Sequence, residues 1–137
     1  MNGGALILNM NNTLINQITY DNVVIRVPKG TTADFGIEIE DGSTGEKYNP
    51  ISSTKVVFSV KKYKTDSNVL ISKILDYDAT SNTYSFTILP EDTSSLPLGR
   101  YYFDICLSES ENFFQQVVST SIFMITASIS ANPAQEE

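Results

Sequence analysis

The side chains of this sequence that could do chemistry are few, and most are carboxylates. Asp76 and Asp78 flank Tyr77 in a stretch of turn formers, and with Asp41 or Glu40 from another turn they could offer hard oxygen ligands to calcium. A calcium site needs roughly six to eight oxygens, and an EF-hand would place acids at alternate loop positions with a central Gly and a closing Glu. That spacing is absent, and turn-forming aspartates account for these residues. Glu91 and Asp92 are adjacent carboxylates. Glycosidases set two carboxylates across a sugar, whereas two acids directly after Pro90 read as partners of the positive end of a helical turn. Lys61, Lys62 and Lys64 form the one basic cluster, read as a solvated strand end at a sheet margin in preference to an anion site. Asn11-Asn12-Thr13 matches a glycosylation acceptor, which matters only in a secreted chain. Tyr20, Tyr77, Tyr101 and Tyr102 have faces that could stack on sugar rings, with no tryptophan to join them.

Two absences narrow the function further. The 137 residues include no histidine, which removes the commonest general base and the commonest transition-metal ligand together. Cys106 is the single cysteine, so an internal disulfide is excluded; its apolar surroundings predict a buried, inert thiol. With no nucleophile beside its base, no metal set and no cofactor motif, the expectation is a protein that is not an enzyme. Sixteen acidic against nine basic residues give a net charge of -7. Such a surface repels phosphate backbones and anionic lipid, so neither nucleic acid nor a membrane is an expected partner. The start Met1-Asn2-Gly3-Gly4 carries no positive charge, and the apolar run Ala5 to Leu8 is too short for a signal segment or a membrane span. A chain made and folded in a cytoplasm follows.

The elements that must position these residues are strands. From Val23 onward, short β-branched and aromatic runs alternate with period two and end at Gly, Asp, Asn, Ser or Pro. In Thr32 to Glu40, Ala33, Phe35, Ile37 and Ile39 fall on one face and Asp34, Gly36, Glu38 and Glu40 on the other. Val56, Phe58 and Val60 repeat the pattern in the segment Lys55 to Lys62. Val69 to Leu75 and Thr83 to Ile88 read as strands joined by a turn over residues 76–82. Pro90-Glu91-Asp92-Thr93 opens a short helical turn closed by Leu96-Pro97-Leu98-Gly99. Tyr101 to Leu107 and Phe113 to Thr126 complete the set, the latter long enough to bend.

No segment holds apolar residues at helical spacing for three turns, which leaves a parallel sheet without crossover helices and favours antiparallel pairing. Seven to eight short strands with frequent turn signals predict an all-β antiparallel sandwich with one short helical turn; a closed barrel is the minority reading. The sandwich covers residues 23–127. Residues 1–22, with six asparagines and the apolar residues Leu6, Leu8, Leu14, Ile15 and Ile18, read as an arm able to add itself to a sheet edge, its own or a neighbour's. Residues 128–137 read as a flexible polar tail.

The stretch Leu89-Pro90-Glu91-Asp92-Thr93, two residues, Leu96-Pro97, one residue, then Gly99-Arg100-Tyr101-Tyr102-Phe103-Asp104-Ile105-Cys106-Leu107 resembles the N-terminal domain of siphophage upper baseplate proteins. Lys29-Gly30-Thr31, the turn Asp41-Gly42, the strand Val56 to Lys62 and the turn Asp78-Ala79 fall in that family's order, so residues 23 to 127 are covered. The resemblance implies an immunoglobulin-like sandwich acting as a phage virion structural protein, a tail or baseplate component in the virion. Its partners would be other phage structural proteins and further copies of itself, in a trimer or higher symmetric assembly. Physically the motif is a structural corner: Pro90 opens it, Gly99 lets the chain leave with unusual dihedrals, and Tyr101 or Tyr102 bonds backward across it. A sandwich with an arm also suits a capsid decoration or head-fibre anchoring protein, and the tyrosines and loops leave room for a carbohydrate-binding module that attaches to a host.

Overall fold

The computed structural model describes residues 5–7, 12–14, 24–41 and 44–129. In chain order the elements are β1 (Ala5–Ile7), β2 (Asn12–Leu14), β3 (Val24–Pro28), β4 (Ala33–Ile37), β5 (Ile39–Asp41), β6 (Lys55–Lys61), β7 (Ile71–Ile74), β8 (Asp76–Asp78), β9 (Thr83–Ile88), α1 (Pro90–Ser94), β10 (Gly99–Ser110) and β11 (Phe113–Thr126). A four-stranded sheet runs β1-β4-β9-β8, a five-stranded sheet runs β3-β11-β10-β6-β7, and β2 pairs with β5.

Alternation decides what each strand buries. Val56, Phe58 and Val60 of β6 and Tyr101, Phe103, Ile105 and Leu107 of β10 point inward from the five-stranded sheet; Phe35, Ile37, Tyr84, Phe86 and Ile88 answer from the other. The contact between sheets centres on Phe58, whose ring is fully buried. It stacks on Phe86 of the opposite sheet with centroids 4.3 Å apart, and meets Phe103 at 5.4 Å and Phe123 edge-on at 6.0 Å. Phe86 in turn stacks on Phe35 at 5.3 Å. Interlocked aromatic rings of this kind dominate core energetics, and here they make the chain a two-sheet β-sandwich.

Pairing departs from a purely antiparallel pattern at three places. β3 runs parallel to β11, β1 parallel to β4, and β2 parallel to β5. Alternation along a strand reports its own buried face and is silent about the direction of its neighbour. The strand count also rises to eleven among the described residues, because β4 and β5 separate at Glu38 and the short strands β1, β2 and β8 join the sheets. Asp76–Asp78, expected in a turn, pairs with Thr83–Ser85 as β8. The turn is residues 79–82, where Asp78 Oδ1 accepts the Thr80 N–H at 2.9 Å and Asn82 takes the left-handed φ of 56° that Asn tolerates.

The corner around α1 is tied down from three sides. Asp92 Oδ2 accepts the Leu89 N–H at 2.7 Å and an ion pair from Lys73 Nζ at 2.7 Å, satisfying a donor at the head of the turn. Thr93 is fully buried, and its hydroxyl accepts the Gly30 N–H at 2.9 Å, joining the corner to the β3–β4 turn. Gly99 has φ 132°, a conformation only glycine adopts without strain. A Cβ there would meet nothing nearer than Lys62 Nζ at 4.0 Å, so backbone dihedrals and not lack of room select glycine. Tyr101, 1 % exposed, donates its hydroxyl to the Pro97 carbonyl at 2.7 Å; Tyr102, one residue on, faces outward.

Candidate functional site

With the odd-numbered residues of β10 inside, Tyr102, Asp104, Cys106 and Ser108 stand on the outer face of the five-stranded sheet. The register across the sheet then assembles a surface from distant parts of the chain. One row runs Val24, Ile122, Tyr102, Lys61 across β3, β11, β10 and β6; the next sets Arg26, Met124 and Arg100 abreast. Lys64, in the turn after β6, brings its Nζ to 5.2 Å from the centre of the Tyr102 ring, a cation–π contact. Two shallow hollows flank that ring. One is lined by Ser59, Lys61, Lys64, Asp104 and Thr120, the other by Lys64, Arg100, Thr120, Ser121 and Ile122. Lys62 takes a different part: its Nζ donates to the Arg100 carbonyl at 3.0 Å and lies 4.5 Å over the Tyr101 ring, closing the corner.

The middle of the face is shaped by irregularities in β11. Between Phe103 and Cys106 the β10 register advances three residues while β11 advances from Ser121 to Gln116, five residues, so β11 carries two extra residues. These bulges bury Val117 and Val118 together although they are adjacent, and they bend the strand. Gln116 Nε2 donates to Asp104 Oδ2 at 2.8 Å, and the Cys106 thiol donates to the same oxygen at 3.5 Å. Burial first, then the charge of Asp104 and this bond, push the thiol up to about 12. It therefore stays protonated at neutral pH, and a thiol is a poor nucleophile compared with a thiolate.

No family model matches the sequence, and comparison with curated proteins gives no match. Among solved structures, the N-terminal domain of phage TP901-1 ORF48 is similar at 12 % sequence identity and a TM-score of 0.45, covering 89 % of this chain and 98 % of that one. The sandwich itself is defined by this chain's own strand pairing and core.

The other candidate residues scatter. Asp76 and Asp78 lie on β8 and Glu40 and Asp41 on β5, and among the described residues no cluster of three or more acids or cysteine is placed to hold a metal ion. Asp92 is taken up by Leu89 and Lys73, while its neighbour Glu91 is exposed. The tyrosines do not build one platform: Tyr101 is in the core, and Tyr77 donates to Asn82 Oδ1 at 2.5 Å with its ring tilted against Tyr84. Tyr20 lies outside the described residues, as do Leu8, Ile15, Ile18 and Asn11; Leu6 and Leu14 fall on β1 and β2. Among the described residues, no helix is long and apolar enough to cross a membrane. Sequence reasoning missed Arg26, Arg100, Ile122 and Met124. Alternation outward from Tyr101 to Leu107 was the signal that could have found Tyr102 and Asp104 as neighbours on one face.

Proposed function

We propose that this chain is a structural component of a bacteriophage particle, a tail or baseplate module that docks other particle proteins through its sheet edges and N-terminal arm. The observation that carries this reading is the lie of the arm, in which Ala5–Ile7 runs along β4 and Asn12–Leu14 along β5 as added parallel strands. Strand addition draws its affinity from main-chain hydrogen bonds, and an edge that accepts the chain's own arm can accept the equivalent arm of a neighbour in a symmetric assembly. The motif between Leu89 and Leu107, which resembles upper baseplate domains, supports the same reading, because here it forms the corner anchored by Thr93, Gly99 and Tyr101.

On this reading the protein works by multivalent contact within a trimer or higher assembly in the virion, where repetition turns modest contacts into avidity. It has no catalytic step, no cofactor and no nucleic acid or membrane partner. A chain without histidine, whose thiol is held protonated, supports that assignment. The test is peptide mass spectrometry on purified particles, followed by imaging of particles that carry the full chain or the chain lacking residues 1–20. We expect the full chain in particles and the shortened one folded but left out. Absence of the full chain refutes the phage role, and equal incorporation of the shortened chain refutes the arm mechanism.

A further inference from the structure

The charges of this acidic chain are sorted by sheet. Five of the nine basic residues, Arg26, Lys55, Lys61, Lys64 and Arg100, stand on the outer face of the five-stranded sheet or its margin. The remaining four lie elsewhere: Lys47 pairs with Glu38, Lys73 with Asp92, Lys62 caps the Tyr101 ring, and Lys29 stands in the β3–β4 turn. Two carboxylates stand among the five, Asp104, which accepts from Gln116 and Cys106, and Asp66 in the turn that carries Lys64, so the cations remain in excess on this side. The outer face of the four-stranded sheet is the reverse. Alternation puts Asp34, Asp76 and Asp78 there, set among the hydroxyls of Thr83, Ser85 and Thr87, with no basic residue of the described chain on it. The sandwich thus has one basic and one acidic broad side, on opposite faces of one core.

The basic side also has the composition of a contact surface. Val24 and Ile74 are exposed on it, Tyr102, Ile122 and Met124 are half-buried, and arginines bracket them. Aromatic residues, Met and Arg are enriched at protein interfaces, and oppositely charged faces steer partners into register. We infer that the basic face of one copy docks on the acidic face of the next, a head-to-tail contact between copies of this chain. Because the two patches are different surfaces, the contact is heterologous and propagates: it closes into a ring where the rotation allows and extends as a stack where it does not. This contact rests on the assembly reading above but uses broad faces, leaving the sheet edges to the arms.

The experiment is sedimentation velocity on the full chain at about 0.05 M and 1 M salt, where the screening length falls from roughly 14 Å to 3 Å. Lys61→Glu, Lys64→Glu and Arg100→Glu together make both faces acidic, and Asp76→Lys with Asp78→Lys makes both basic; circular dichroism and urea midpoints check that each variant folds. Wild type is expected to self-associate at low salt and dissociate at high salt. Each variant alone should associate at least about tenfold more weakly, since like charges then face each other, and an equal mixture of the two should associate again. A wild type that is monomeric at both salts overturns the inference. So does loss of association on reversing one face but not the other, which would mean that the basic face meets itself or a different acidic partner. If the protein is monomeric yet present in particles, this contact fails and the phage role stands; self-association of a protein absent from particles separates them the other way.

Discussion

Replacing Phe58 with Ala tests whether the two sheets are held together as the aromatic core implies. The ring is fully buried and meets Phe86, Phe103 and Phe123 within 4.3 to 6.0 Å, so its removal loses both transfer energy and partners that cannot close the gap. Such truncations cost about 3–5 kcal/mol. For a domain with about 5–15 kcal/mol of total stability this is a large share, equivalent to a fall in Tm of roughly 4 °C per kcal/mol. Urea denaturation followed by circular dichroism measures it. A cycle with Phe58→Leu and Phe86→Leu then isolates the contact between sheets, expected at about 0.5–1.5 kcal/mol of coupling. Phe114→Ala serves as the control, since that ring is 69 % exposed and its loss should stay within about 0.5 kcal/mol. A cost for Phe58→Ala below about 1.5 kcal/mol, or coupling indistinguishable from zero, would refute a core in which these rings join the two sheets.

Three further outcomes follow from the same structure. Thr93→Val keeps the shape of a buried side chain but leaves the Gly30 N–H without its acceptor, and should lower stability by about 1–3 kcal/mol in urea titration; an unchanged midpoint would mean the corner does not depend on that bond. Tyr84→Phe removes a buried hydroxyl that has no hydrogen-bond partner among the described residues, so the variant should be at least as stable as wild type, and a loss above about 1 kcal/mol would reveal a partner. Burial raises the Cys106 thiol and the Tyr48 phenol to about 12, with Glu109 adding to the effect at Tyr48, and it raises the phenols of Tyr84 and Tyr101 as well. The folded chain keeps protons that the unfolded chain releases first, so stability should be level through neutral pH and fall as pH climbs from about 9 towards 12. Cys106→Ala should flatten the early part of that fall, and an unchanged profile would contradict the assigned thiol.

How far the fold was legible in the sequence can be read from particular residues. Thr83–Ile88 and Phe113–Thr126 are strands with the limits their alternation implies, and Phe35, Ile37 and Ile39 are buried as their phase requires. Pro90 and Gly99 bound the helical corner because their backbone constraints act locally. Asp76 to Asp78 has the composition of a turn yet forms a strand, since turn-forming side chains stop mattering when a neighbouring strand supplies the main-chain partners. The choice between Tyr101 and Tyr102 also stayed open, since both follow Gly99 and only the inward phase of β10 separates them.

By itself, then, the sequence determined the class of fold, the buried face of each main strand, the corner and the excess of acid, because these depend on residue type and on spacing within a few neighbours. The tertiary structure alone decided that Met124 would lie between Arg26 and Arg100, that Val117 and Val118 would both turn inward at bulges, and that five of the nine cations would stand on one side of the sandwich and Asp34, Asp76 and Asp78 on the other. Period two assigns a side chain to a face of its own strand, but which strands become neighbours, and in what register, is settled by packing across the whole core.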